Sequence, residues 1–175
     1  MLENIAFVGG IHGVGKSTIC KDICEKLGIN YLSASEVLKW GKLNTDEKNK
    51  KVDDISLTQN LLIIGLNKLI EKGKYYILDG HYCLLNKEGS IERIPFETFQ
   101  KIKPNSLYII TAEIFEIKRN LEFRDNREYN SELLEEMQEA EISYAKIISE
   151  KLEKKLHINT NNDFNKILES FRNNL

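Results

Sequence analysis

Glycine is missing from this chain beyond residue 89. All ten glycines lie at or before Gly89, so the residues beyond it offer few flexible breaks. Cysteine is scarce as well. Cys20, Cys24 and Cys83 make an odd count without zinc-like spacing, and imply no disulfide framework. An excess of either charge is lacking too: 25 Lys and Arg stand against 27 Asp and Glu, a formal net charge of −2. No large electropositive field therefore draws in nucleic acid. No apolar run approaches the roughly 20 residues that span a bilayer. No basic segment leads into a signal-length apolar stretch at the N-terminus. The expectation is a cytoplasmic protein with no membrane partner, its 175 residues forming one domain.

What is present is an alternation of strand-like and helix-like segments. The strand pattern falls on Asn4 to Val8, Asn30 to Ser33, Tyr75 to Leu78, Ser106 to Thr111 and Leu156 to Asn159. Helical patterns run from Lys16 to Leu27, stopping at Gly28, and from a cap at Ser35 to about Leu43. They resume from Asp53 or Asp54 to Lys72, after Pro95, from Glu113 to Arg124, from Ser131 to Lys154 and from Asp163 to Phe171. In the long helix, Leu133, Met137, Ala140, Tyr144, Ile148 and Leu152 fall near one face. The run Asp46 to Lys51 reads as a solvated charged segment, and residues 83–105 as an irregular connection with a turn at 87–89. Five short buried strands separated by helices imply a three-layer α/β/α architecture around a parallel sheet. Cys20 and Cys24 share an apolar helical stripe with Ile19, Ile23 and Leu27, whereas Cys83 is expected to be open to solvent beside the site.

Directly after the first strand comes Gly10-Ile11-His12-Gly13-Val14-Gly15-Lys16-Ser17-Thr18, which fits the phosphate-binding pattern G-x-x-x-x-G-K-[ST] at every fixed position. Glycines there let several backbone N–H groups converge on a polyphosphate, and the following helix points its partly positive end at the same anion. Lys16 supplies a point charge for the β and γ phosphates, and Ser17 a hydroxyl for Mg²⁺. ATP and Mg²⁺ are the expected cofactors.

The strand ending in Asp79 delivers a carboxylate at the edge of the sheet where ligands bind. It suits a second Mg²⁺ ligand opposite Ser17. Arg119, Arg124 and Arg127 follow the fourth strand and could stabilise a moving phosphoryl group, or pair with Glu122, Asp125 and Glu128 on a helix surface. His81 is a candidate acceptor contact or a turn residue. His12 contributes mainly backbone, His157 reads as structural, and Trp40 as a core, interface or base-stacking residue.

These segments resemble the nucleoside monophosphate kinase group of P-loop NTPases, archaeal-type adenylate kinases especially. The phosphate loop lies at the same N-terminal place. Leu32 to Lys39 is similar to the segment that contacts the monophosphate, with Lys39 where the wider family often carries arginine. Leu78-Asp79-Gly80-His81 is similar to the archaeal-type Asp-Thr-His segment, and Arg119 to Arg127 resembles the short lid. The resemblance implies a P-loop NTPase fold with a five-stranded parallel sheet and a short lid at about 119–130. It also implies an acceptor region at about 35–72, with Lys39 and His81 binding the acceptor. Cys83 and Lys87 occupy the offsets where the general pattern has arginine and glutamine, and Gly80 replaces the threonine, so AMP is expected to be a weak acceptor.

The leading expectation is an enzyme that moves the γ-phosphoryl group of ATP to a nucleotide or related small acceptor. Lys16 and the three arginines would be its catalytic residues. A polynucleotide 5′-kinase is a second reading, disfavoured by net acidity and the lack of basic patches interleaved with aromatics. A regulatory ATPase or nucleotide switch without a small acceptor is a third. The chain has no Asn-Lys-x-Asp motif for guanine.

Overall fold

The first apolar run forms strand β1 (Ile5–Gly9), and the phosphate-loop motif turns it into helix α1 (Lys16–Leu27). The computed structural model describes residues 4–44 and 55–174. The charged run Asp46 to Lys51 and the expected helix start at Asp53 or Asp54 lie outside the described residues, as does the side chain of Trp40. The chain continues through β2 (Asn30–Ser33), α2 (Ala34–Asn44), α3 (Ile55–Leu69), β3 (Tyr76–Asp79), β4 (Cys83–Leu85) and β5 (Ile91–Arg93). It ends through α4 (Phe96–Ile102), β6 (Ser106–Thr111), α5 (Ile114–Asp125), α6 (Ser131–Leu152), β7 (Leu156–Thr160) and α7 (Phe164–Arg172).

Five strands form a parallel sheet in the order β2-β3-β1-β6-β7. Successive residues of a strand face opposite sides, so each central strand feeds two cores. Phe7, Leu78, Leu107 and Ile109 pack on one side with Val37, Leu62, Leu66, Phe99 and Ile148 from α2, α3, α4 and α6. Val8, Ile77, Tyr108 and Ile110 pack on the other with Ile19, Ile23, Ile117, Leu121 and Phe171 from α1, α5 and α7. This is the three-layer α/β/α fold the sequence implies. Parallel register sets Asp79 level with Val8 of β1 and Ser33 of β2, which puts its carboxylate beside the loop that leaves β1.

Three expectations need correction. Residues 83–105 are not irregular throughout. β4 and β5 form an antiparallel hairpin, Cys83 opposite Arg93, around a turn in which the Asn86 side chain accepts from the backbone N–H groups of Glu88 and Ser90. Cys83 is buried in that hairpin rather than open to solvent. The buried face of α6 runs through Leu134, Glu141, Tyr144, Ala145 and Ile148, so Leu133 and Met137 lie on its half-buried flank.

The shortage of glycine has a visible consequence. Helices α4, α5 and α6 end on Lys103, Asn126 and Glu153 in the left-handed region, at φ of 52°, 51° and 53°. Glycine would occupy that conformation without the Cβ penalty, as Gly28 does at the end of α1.

Candidate active site

The phosphate loop is shaped by its glycines and by its docking on α5. Gly13 has φ +89°, and a Cβ there would lie 2.8 Å from Leu121 Cγ and 3.0 Å from the Ile117 carbonyl oxygen. Asn120 reinforces this contact, donating from Nδ2 to the Gly13 carbonyl oxygen at 2.9 Å. Gly15 has φ +84° and is the N-cap of α1, with no side chain bonded to the helix end. The first N–H groups of α1 thus have no side-chain cap, the arrangement that favours an anion.

Lys16 is buried, and its ammonium pairs with Asp79 Oδ1. The other carboxylate oxygen, Oδ2, accepts from Ser17 Oγ at 2.6 Å and from the Tyr31 hydroxyl at 2.8 Å. Burial alone would raise the pKa of Asp79. The Lys16 charge and hydrogen bonds from Lys16, Ser17 and Tyr31 outweigh it and hold the carboxyl below its ordinary range. Tyr31 is moved the other way, its phenol pushed up by burial and by its bond to the Asp79 carboxylate. Ser17 and Asp79 present hard oxygen donors side by side, one hydroxyl and one carboxylate. That donor set fits Mg²⁺, which takes few protein ligands and keeps several waters.

Two histidines stand at the rim of this cluster. The His12 and His81 rings are 4.4 Å apart between centroids. His12 meets solvent, yet desolvation, followed by the charges of His81, Lys16 and Arg124, lowers it to about 4. Behind His81 lies Glu141, which is 1% exposed. Its carboxylate accepts from the backbone N–H groups of Tyr82, at 3.0 and 3.1 Å, and Cys83, at 3.2 Å, and its Oε1 is 3.4 Å from His81 Nδ1. The same carboxylate helps burial push the Cys83 thiol up to about 12.

A cavity of about 240 Å³ opens from Lys16, Ser17 and Asp79 toward α2, α3 and α4. Phe7, Leu38, Leu62 and Phe99 give it an apolar body, while Gln59 and Thr98 bring polar groups. His12 and His81 line the same space. Lys39 does not: it is exposed on α2, and its neighbour Leu38 faces the cavity instead.

Arg124 and Arg127 join a surface network. Arg124 binds Asp125 in a bidentate fork, at 2.6 and 2.8 Å. Arg127 contacts the Tyr129 hydroxyl at 2.8 and 3.0 Å, and that hydroxyl donates to Asp125. Arg119 is exposed on α5. Arg124 and Asp125 thus form the kind of surface pair that competes with a catalytic assignment.

A family model described as "AAA domain" matches residues 9–138. The chain belongs to this AAA-domain family. Over 82 residues it is 38% identical to the "Putative adenylate kinase" of Methanocaldococcus jannaschii, a match covering 46% of each chain. The match thus spans under half the length of that relative. An adenylate kinase of Pyrococcus horikoshii is 28% identical over 139 residues, covering 73% of this chain and 70% of its own. The crystal structure of an uncharacterized protein from Eubacterium ventriosum covers 97% of this chain and 96% of its own, with a TM-score of 0.50 and 10% identity, and so shares the fold. The resemblance to the nucleoside monophosphate kinase group, and to archaeal-type adenylate kinases in particular, holds across the sequence matches. Among the described residues no helix is long and apolar enough to cross a membrane.

Tyr31, Gln59, Asn120 and Glu141 were not singled out from the sequence. Each is brought to the site by a contact or cavity that joins distant segments.

Proposed function

We propose that this AAA-domain protein is a Mg²⁺-dependent kinase that transfers the γ-phosphoryl group of ATP to a nucleotide or related small acceptor. One observation carries the reading: the Lys16, Ser17 and Asp79 cluster opens directly into an apolar cavity with a few polar groups. A site that only hydrolysed ATP would have no use for such a compartment beside its phosphates.

In this reading the loop N–H groups and the start of α1 bind the triphosphate. Lys16 exchanges Asp79 for the β and γ phosphates as they arrive. Ser17 and Asp79 would hold Mg²⁺, which supplies charge neutralisation across the phosphate oxygens. Tyr31 keeps Asp79 oriented through its hydroxyl, and Asn120 fixes the loop. Arg119, Arg124 and Arg127 lie on the segment that would close as a lid, where a guanidinium can meet the transferring group bidentately. His81 faces the acceptor from the cavity wall, and Lys39 can reach it only from the exposed rim.

The test is transfer of label from γ-labelled ATP, with Mg²⁺, to a panel of nucleotides, nucleosides and 5′-hydroxyl oligonucleotides. Labelled small acceptor supports the reading. Labelled oligonucleotide alone favours a polynucleotide kinase, and labelled inorganic phosphate alone favours a regulatory ATPase.

A further inference from the structure

Among the described residues, the cavity beside the phosphate loop has little to hold a second phosphate. The lining includes one lysine or arginine among the described residues, Lys16, and Asp79 already engages it. Arginine is the usual bidentate reader of phosphate, and the chain has none before Arg93. Arg93 itself is directed over the Tyr144 ring, 5.0 Å from its centroid, and is not a lining residue. The acceptor region from about residue 35 to 72 therefore contains no guanidinium at all.

What the cavity does hold suits a neutral, partly planar molecule. Phe7 and Phe99, 3% and 0% exposed, back the cavity's apolar wall from the core, their rings 5.2 Å apart and edge to face. Gln59 lines the cavity with only 8% of its surface exposed. A side-chain amide carries a donor and an acceptor, and a heterocycle with adjacent donor and acceptor atoms can pair with both. Thr98, 4% exposed, adds a hydroxyl to the same wall. A volume of about 240 Å³ fits a small acceptor.

His81 supplies the remaining element. Its Nδ1 faces the buried Glu141 carboxylate, which leaves Nε2 for a group in the cavity. An alcohol acceptor needs its hydroxyl aimed at the phosphorus, and an accepted hydrogen bond does this. A phosphate acceptor is mostly the dianion at neutral pH, without that hydrogen.

We infer that the acceptor is an uncharged nucleoside, with its base beside Gln59 and its hydroxyl toward His81. The inference rests on the kinase reading and narrows it. The hydroxyl oxygen attacks the γ-phosphorus, and the bond from that phosphorus to the β–γ bridging oxygen breaks. ADP leaves with the electron pair, and the hydroxyl proton passes to solvent. Glu141 acts here as a positioning residue.

The whole protein, with Mg²⁺ and γ-labelled ATP, is assayed against each common nucleoside and its 5′-monophosphate. The expected result is labelled nucleoside monophosphate, with kcat/KM for the best nucleoside at least about tenfold above its own monophosphate. Equal or better use of the monophosphate overturns the inference and leaves the kinase reading standing. Release of inorganic phosphate alone, with every acceptor, overturns both. Gln59→Leu should raise the nucleoside KM about tenfold while ATP affinity, measured by calorimetry, stays within twofold. An unchanged nucleoside KM in a variant that still binds ATP removes Gln59 as the base reader and overturns the inferred placement.

Discussion

Lys16 and Asp79 form a buried ion pair that joins the phosphate loop to the end of β3. One contact thus serves both the folded state and the site. Removing the lysine strands a buried carboxylate, and removing the carboxylate frees the lysine. Lys16→Ala is expected to lower turnover at least about 100-fold and to destabilise the fold by about 3 kcal/mol. Turnover assays and urea unfolding of the same variant check the two effects together.

Asp79→Asn removes the carboxylate charge from the metal site and from the pair with Lys16. The variant should need more Mg²⁺ for half-maximal turnover while keeping its fold, because an amide is a weaker ligand for a hard cation. A Mg²⁺ titration that overlays the wild type would remove Asp79 from the metal site.

Acid stability should also depend on Asp79. Its carboxyl is held below its ordinary value in the folded protein. The stabilisation is therefore present above the unfolded pKa of about 3.9 and is lost as pH falls through the lower folded value. Unfolding free energy followed from pH 6 downward should fall less steeply in Asp79→Asn than in the wild type.

The arginine network makes a different forecast. Arg124 and Arg127 are tied to Asp125 and Tyr129 on an exposed surface, so Arg124→Ala and Arg127→Ala should change stability by no more than about 0.5 kcal/mol. If the arginines act in transfer, each variant loses turnover while ATP affinity stays near wild type. Unchanged turnover in both would leave them as surface pairs.

Much of this was legible in the sequence because the signals are local. Gly10 to Ser17 is a contiguous motif, and the alternation of Phe7 with Val8, or Leu107 with Tyr108, marks strands buried on both faces. The remainder depends on pairings across long stretches of chain. Tyr31 meets Asp79 from 48 residues away, and Glu141 reaches the Tyr82 backbone from 59. A glutamate in a helix with a polar face reads as solvated, and only the β4–β5 hairpin packed against α6 gives Glu141 its donors. That hairpin escaped notice because strands of three residues carry almost no alternation. Lys39 lies one position from Leu38, and a single step on a helix separates the cavity from solvent.

Glu153 tests the helix-end account. It closes α6 at φ 53°, where glycine has no steric penalty. Glu153→Gly should raise stability by roughly 0.5–1 kcal/mol, read as a higher urea midpoint at constant slope. A lower midpoint would show that the glutamate side chain stabilises this end by more than the backbone loses.

The central claim is that the Lys16, Ser17 and Asp79 cluster passes phosphate to a molecule seated in the adjoining cavity. Single-turnover transfer from γ-labelled ATP with Mg²⁺, in the presence of the small-acceptor panel, tests it most directly. The account predicts that label appears in a small acceptor, faster than in inorganic phosphate, and that Lys16→Ala abolishes the transfer. Label found only in inorganic phosphate, at a rate no acceptor changes, would contradict it.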